Sequence, residues 1–426
     1  MEGRLDRVGR LLGWGLLPLV VVMEFFDLRR GLHGRPAVVS AYLIGFGILT
    51  LALLVWSVRR WREVARPMRW MALLFAVLVA MSLVSALTIE LPVVQRERIQ
   101  ITREVVVVPL LTALLTLTAS ISLVLASPRD QRRRVVWWAG WVVLVCSLVN
   151  WPRAVMVHRS LRISTGMGGS AIYHVVLLTT AAMFLGHALQ GWHRRWSAAG
   201  AAICLLGVVA VGSRAGLACL ATFAALTGLW AVRRGLGRSF GRWALGGVVA
   251  LVVALVTVPS LRRLLVLGDS GRATNLTTAW SAWTESWQSV LFGVGSGRLW
   301  PWYALDVQLV RAPGGNLIIT DWGKVLTSPH SLYLAVLVEL GILGAVLLVA
   351  MLAAIPWSLR QQWGTQDDPV ATMVLIALAA SLLAFVFDTY LLKNFGVSFW
   401  WWVMALGVVG SGGVQRTRGS VSTTPT

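Results

Sequence analysis

Apolar and polar positions run along this chain in long blocks. Uninterrupted apolar stretches of about 17–22 residues alternate with short Arg-bearing segments, which is the period of a helical membrane protein. A membrane barrel would instead show alternating segments of about ten residues, and none appear. Twelve spans can be read, at 11–26, 37–58, 68–88, 104–126, 135–150, 169–190, 197–212, 214–232, 243–259, 331–355, 370–387 and 395–411. The predicted fold class is therefore an all-α polytopic membrane protein with about 12 transmembrane helices, with residues 1–259 carrying nine of them and 331–411 three. A long loop, 260–330, separates the two groups, and the small, polar segment 412–426 reads as a disordered tail. The start, MEGRLDRVGR followed by LLGWGLLPLV, has the outline of a signal peptide but no small-x-small cleavage site, so it reads as a retained first helix.

Composition agrees. Hydrophobic residues make up 57% of the chain, and mean hydropathy is +0.74. Net charge is +21, from 38 basic and 17 acidic residues. In a soluble protein that excess would point to nucleic acid; between apolar spans it reads as the Arg bias that orients a membrane protein, and no nucleic-acid partner is expected. With the N-terminus inside, the inner segments carry 21 basic residues against 11 in the short outer loops. Twelve spans then leave both termini in the cytoplasm and put loop 260–330 on the outer face. Cys146, Cys204 and Cys219 all fall in apolar runs and read as small packing residues.

Four stretches invite chemistry. In VGSRAGLACL, Ser213 can cap the eighth helix with Arg214 in its first turn. A cation there opposes the helix dipole unless an anion is the guest, when N–H donors and a guanidinium would meet a phosphate together. The alternative is an Arg snorkelling from a helix end. In LGDSGRATNL, Gly271 frees a turn and Arg272 is a second candidate phosphate ligand. From Leu276 the apolar positions Leu276, Trp280, Trp283, Trp287 and Leu291 fall on one helical face, which predicts an amphipathic helix lying on the outer leaflet or packed on protein. The sequon-like Asn275-Leu276-Thr277 reads as chance. LFGVGSGRLW matches neither a dinucleotide fingerprint nor a P-loop, and reads as a close-packed turn with Arg298 a third basic group.

The fourth stretch is TSPHSLYLAVLVELGILG. His330 stands at the start of the tenth span, where an imidazole can serve as a general base. Glu339, nine residues on, lies on the opposite helix face and calls for a structural partner such as an Arg or a backbone amide. His174 and His187 read as packing residues of the sixth span. No Asp-x-Asp, HExxH, Cys/His cluster or GxSxG occurs, so neither a metal nor another cofactor has sequence support.

Together these pieces resemble the O-antigen ligase and polymerase superfamily of bacterial envelope enzymes. The resemblance rests on Ser213-Arg214-Ala215-Gly216, then Ser270-Gly271-Arg272, then Gly293, Gly295 and Gly297, then His330, Ser331, Tyr333 and Leu334 with Glu339, Gly341 and Gly344 downstream. It covers roughly residues 205–345. One departure is Ser289-Val290, where such proteins often carry a Pro before the Leu. What the resemblance implies is a GT-C-like glycosyltransferase of the bacterial cytoplasmic membrane, independent of metal. Its donor would be a glycan on a polyprenyl diphosphate, and its acceptor a lipid or glycan hydroxyl at the outer face. Arg214 and Arg272 would hold the diphosphate, with Ser213, Arg298 and Tyr333 lining the substrate site, and His330 would activate the acceptor. Ligase, polymerase and protein O-glycosyltransferase all fit; a single long outer loop leans towards ligase. A transporter or lipid flippase would place charges along the bundle interior, whereas the central parts of the spans are nearly free of charge, Glu339 being the clear exception, which favours a one-sided enzyme. A peptidoglycan glycosyltransferase would want a placed acid in the long loop, where Asp269, Glu285, Asp306 and Asp321 stand unassigned.

Overall fold

The structure is a computed structural model that describes residues 2–25, 36–90, 93–94, 99–100, 103–158, 165–169, 171–235, 270–300, 317–326, 328–365 and 368–411. The expected ninth span at 243–259, parts of the long loop and the tail lie outside the described residues. The helices are α1 (Glu2–Phe25), α2 (Pro36–Ser57), α3 (Arg66–Thr88), α4 (Arg103–Ala126), α5 (Arg129–His158), α6 (Tyr173–Leu189), α7 (Arg194–Ala210) and α8 (Arg214–Arg233). The long loop holds α9 (Ser270–Trp283) and α10 (Trp287–Phe292). Then come α11 (Leu332–Leu352), α12 (Ala354–Thr365), α13 (Pro369–Ser381), α14 (Tyr390–Lys393) and α15 (Phe395–Val403). Two small antiparallel hairpins, β1–β2 (Val93–Val94 with Ile99–Gln100) and β3–β4 (Leu317–Thr320 with Gly323–Leu326), depart from a purely helical reading.

Six helices among the described residues are long and apolar enough to cross a membrane, and four shorter ones are apolar. Their outward faces carry large apolar side chains, such as Val55 at 77% and Leu206 at 65% exposure. A water-soluble bundle does not leave such faces uncovered, so these are surfaces for lipid. This is a multi-pass membrane protein. Its centre is built by α6, α13 and α15, whose side chains are nearly all buried. Indole N–H groups tie these helices without water: Trp400 donates to Thr180 Oγ1 (3.0 Å) and Trp401 to Ser381 Oγ (3.0 Å).

The chain reversals fall at two opposite ends of the bundle. At one end the Ala65 N–H donates to the Gly410 carbonyl (2.9 Å), Arg60 to the Ala126 carbonyl (2.8 Å) and Arg132 to Glu63 (2.6 Å). There too Arg233 lies over the Trp363 ring, and Arg133 pairs with Asp368. At the other end Gly166 N–H reaches the Phe25 carbonyl (3.2 Å), and Ser213 Oγ–H the Ala171 carbonyl (3.1 Å). The ion pairs of the first end decide a measurable quantity. Asp368 both pairs with Arg133 and caps α13, accepting from Ala371 N–H (3.2 Å). Asp368→Ala is expected to cost about 1–3 kcal/mol, and Asp368→Asn, which can still cap, about half of that. Thermal unfolding in detergent reads the difference; equal midpoints for Asp368→Ala and wild type would contradict it.

Two sequence expectations change. The helix expected from Leu276 through Leu291 is two helices. Ser286 is extended and its Oγ accepts from Ser289 N–H (3.1 Å), so a side-chain cap ends the first helix and starts the second. The expected tenth span, 331–355, is broken at Gly341, which has φ 67° and ψ −164°. Before the break, 332–340 carries no exposed residue; after it, Val346 and Val349 are 61% and 64% exposed. Residues 342–363 rise about 33 Å, enough to cross the hydrocarbon by themselves.

Candidate active site at the 382–388 segment

The site begins where α13 stops being an α-helix. Leu382–Val386 tightens into a 3₁₀ turn, and the Asp388 N–H closes it on the Ala384 carbonyl (3.0 Å). Three elements from distant parts of the sequence meet on this segment. From α8, Cys219 touches the backbone of Ala384. Cys219 lies five residues after Arg214, about 7.5 Å of helix rise. From α11, Ser331 Oγ–H reaches the Phe385 carbonyl (3.3 Å), and the Tyr333 hydroxyl the Leu382 carbonyl (3.0 Å). From α9, the Arg272 guanidinium stands 6.0 Å from the centroid of Phe387. So the elements bearing Arg214, Arg272 and His330 converge on one short turn.

Local structure explains each placement. Ser213 is extended and caps α8, accepting from Gly216 N–H (3.3 Å), which sets Arg214 as the first helical residue, exposed. Ser331 caps α11, accepting from Leu334 N–H (3.3 Å). His330 precedes that cap with φ 53°, half-buried, in a left-handed conformation that costs a histidine about 1 kcal/mol. Tyr333 packs edge-on against Phe385 (6.2 Å) while its hydroxyl holds the 3₁₀ turn.

The other basic group lies elsewhere. Arg298 stands over the Trp322 ring (5.1 Å) at the tip of β3–β4, and Trp322 donates to Glu285 (2.9 Å) just past the end of α9. Arg272 to Trp283 is eleven residues, so about 16 Å of helix separates the two ends. Glu285, unassigned in the sequence, is thus a structural acceptor.

The glycine stretch is a close-packed turn that stitches the loop to the broken helix. The Val338 and Glu339 carbonyls, just before Gly341, accept from Val294 N–H (2.8 Å) and Gly295 N–H (3.1 Å). Glu339 Oε1 accepts from Gly297 N–H (3.1 Å), so the backbone amide expected for this carboxylate is its partner. Irregular backbone in a membrane bundle persists only when its polar groups are met in this way.

Helix α9 presents an inverted pair of faces. Asn275, Thr278, Ala279 and Ala282 are buried, whereas Leu276 and Trp280 are each 54% exposed; on α10 Trp287 is 65% exposed. Its small and polar side packs on β4, where Thr278 Oγ1–H donates to the Lys324 carbonyl (2.8 Å).

Sequence reasoning missed two parts of this arrangement. The 382–388 turn falls inside the end of the expected eleventh span, 370–387, where the apolar run LLAFVF gives no sign that the α-helix stops at Ser381. Asn275 looked like a chance sequon and is instead 2% exposed inside a hydrogen-bond cluster. No family model matches the chain, and no curated protein matches it.

Proposed function

We propose that this protein is a metal-independent, inverting glycosyltransferase of the bacterial cytoplasmic membrane. It moves a glycan from a polyprenyl-diphosphate carrier to an acceptor hydroxyl at the outer face, as an O-antigen ligase does. The observation that carries the reading is the convergence of α8, α9 and α11 on the 382–388 turn, which gathers the elements bearing two cations and an imidazole at one end of the bundle. A one-sided cluster suits an enzyme fed by a lipid-linked donor better than a transporter, whose charges must line a path across the bilayer.

In this reading Arg214 and Arg272 grip the diphosphate. The acceptor oxygen attacks the anomeric carbon from the face opposite the leaving group and inverts it. The C–O bond to phosphate breaks, the diphosphate leaves with the electron pair, and the hydroxyl proton passes to the His330 imidazole. The charge that grows on the leaving oxygens is met by guanidinium forks, each able to hold two oxygens at once. Ser213 and Tyr333 hold the frame, Arg298 meets the glycan farther along α9, and the Trp-bearing face of α9 and α10 lies in the outer leaflet.

The parity of the chain supports twelve spans with both termini in the cytoplasm. Arg233 lies at the Arg-rich end with Trp363, and Arg272 lies at the other end with Phe387. A single crossing at 243–259 meets that requirement, and the Arg-rich end is the cytoplasmic one by the positive-inside rule.

The test is transfer by the purified protein in detergent, with EDTA present, given a polyprenyl-diphosphate glycan and a membrane-lipid extract. Release of polyprenyl diphosphate with glycan on a new anchor is the expected result. A ladder of longer lipid-linked chains would make the protein a polymerase of the same kind. No turnover, with glycolipid flipping in vesicles, would replace the enzyme by a transporter.

A further inference from the structure

We propose that Asn275 is a positioning residue that holds His330 in its working conformation at a set place relative to Arg272. The inference rests on the glycosyltransferase reading above. Asn275 follows Arg272 by three residues on α9, about 4.5 Å of rise, and is almost wholly buried. Its Oδ1 accepts from Trp300 Nε1–H (2.9 Å) and from Leu326 N–H (3.0 Å). Both partners are donors only, so the oxygen must face them. The Nδ2 group therefore faces the third partner, the Pro329 carbonyl (3.5 Å), which is an acceptor only.

Pro329 is the residue before His330, and the next residue, Ser331, is pinned on the other side by the Phe385 carbonyl and its own helix. His330 is a left-handed residue clamped between two anchors, and such strain lasts only where the surroundings over-determine it. One anchor comes from the same helix turn that delivers Arg272 to Phe387. A single carboxamide thus couples the cation that would hold the leaving group to the imidazole that would take the proton. The cluster also ties in Trp300, which ends the glycine stretch, and Leu326, which ends β4.

The full-length protein in lipid nanodiscs tests this with Asn275→Asp and Asn275→Ala. Asn275→Asp keeps both acceptor contacts and sets an acceptor against the Pro329 carbonyl. Asn275→Ser carries the same measurements if the Asp variant is not monodisperse. One readout needs no transfer activity: acylation of His330 by diethylpyrocarbonate, followed by peptide mass, relative to His193 at the opposite end of the bundle. The other is steady-state transfer from a polyprenyl-diphosphate glycan. The His330 to His193 ratio is expected to change at least about threefold, and kcat to fall about 10–100-fold with donor KM within about twofold. A merely structural Asn275 would lower the melting temperature and leave that ratio and kcat unchanged, and that pattern overturns the proposal. A shifted ratio in a protein whose wild type transfers nothing upholds the positioning role and sinks the glycosyltransferase reading instead.

Discussion

Arg272→Ala and Arg214→Ala are each expected to lower kcat for glycan transfer by about 10²–10³-fold, the size of loss seen when a fixed donor to developing charge is removed. Both side chains are exposed, and melting curves taken beside the rates separate lost chemistry from lost structure. Arg272→Lys should recover part of the rate: it keeps the charge but loses the two-pronged contact with oxygen. The readout is the initial rate of polyprenyl diphosphate release, with EDTA present. The double alanine variant should fall short of the product of the single losses, since the two cations would act on one leaving group. Alanine variants within about threefold of wild type would remove both arginines from the chemistry.

Gly341→Ala is expected to cost more than about 4 kcal/mol and to abolish recovery of monodisperse protein. Two effects add. The backbone at Gly341 lies where only glycine sits without strain, and a Cβ there would stand 2.4 Å from the Leu291 carbonyl. The contact is reciprocal: a Cβ on Gly293 (φ 80°) would stand 2.3 Å from the Glu339 carbonyl. The loop and the broken helix therefore touch backbone to backbone, and no side chain can swing aside. Gly15→Ala is the control, because nothing lies within 4 Å of its Cβ position. It should leave stability unchanged or raise it by up to about 1 kcal/mol, because glycine is the poorer residue inside a helix. Size-exclusion profiles and melting curves of the detergent-solubilised proteins decide; a well-behaved Gly341→Ala protein would show that the break at 341 is not fixed by packing.

Long apolar blocks alone determined that this is a multi-pass helical membrane protein, because hydrocarbon admits only segments that satisfy their own backbone. The Ser213 cap was legible too, since a cap is a contact between residues three apart. So was the close glycine turn at 293–297. What sequence did not reveal were one local cap and a set of contacts between residues far apart along the chain. Ser286 divides the amphipathic helix in a way the helical spacing of Trp280, Trp283 and Trp287 conceals, because periodicity is blind to a cap that competes with it. The break at Gly341 depends on Val294 and Gly295 arriving to take the carbonyls of Val338 and Glu339. Asn275 became a hub only when Trp300, Leu326 and Pro329 closed around it. Above all, nothing in the order of residues says that Arg272 will stand over Phe387 while Ser331 binds Phe385. That meeting is set by how α8, α9 and α11 pack on the end of α13, and packing is a property of surfaces, which only the tertiary structure assembles.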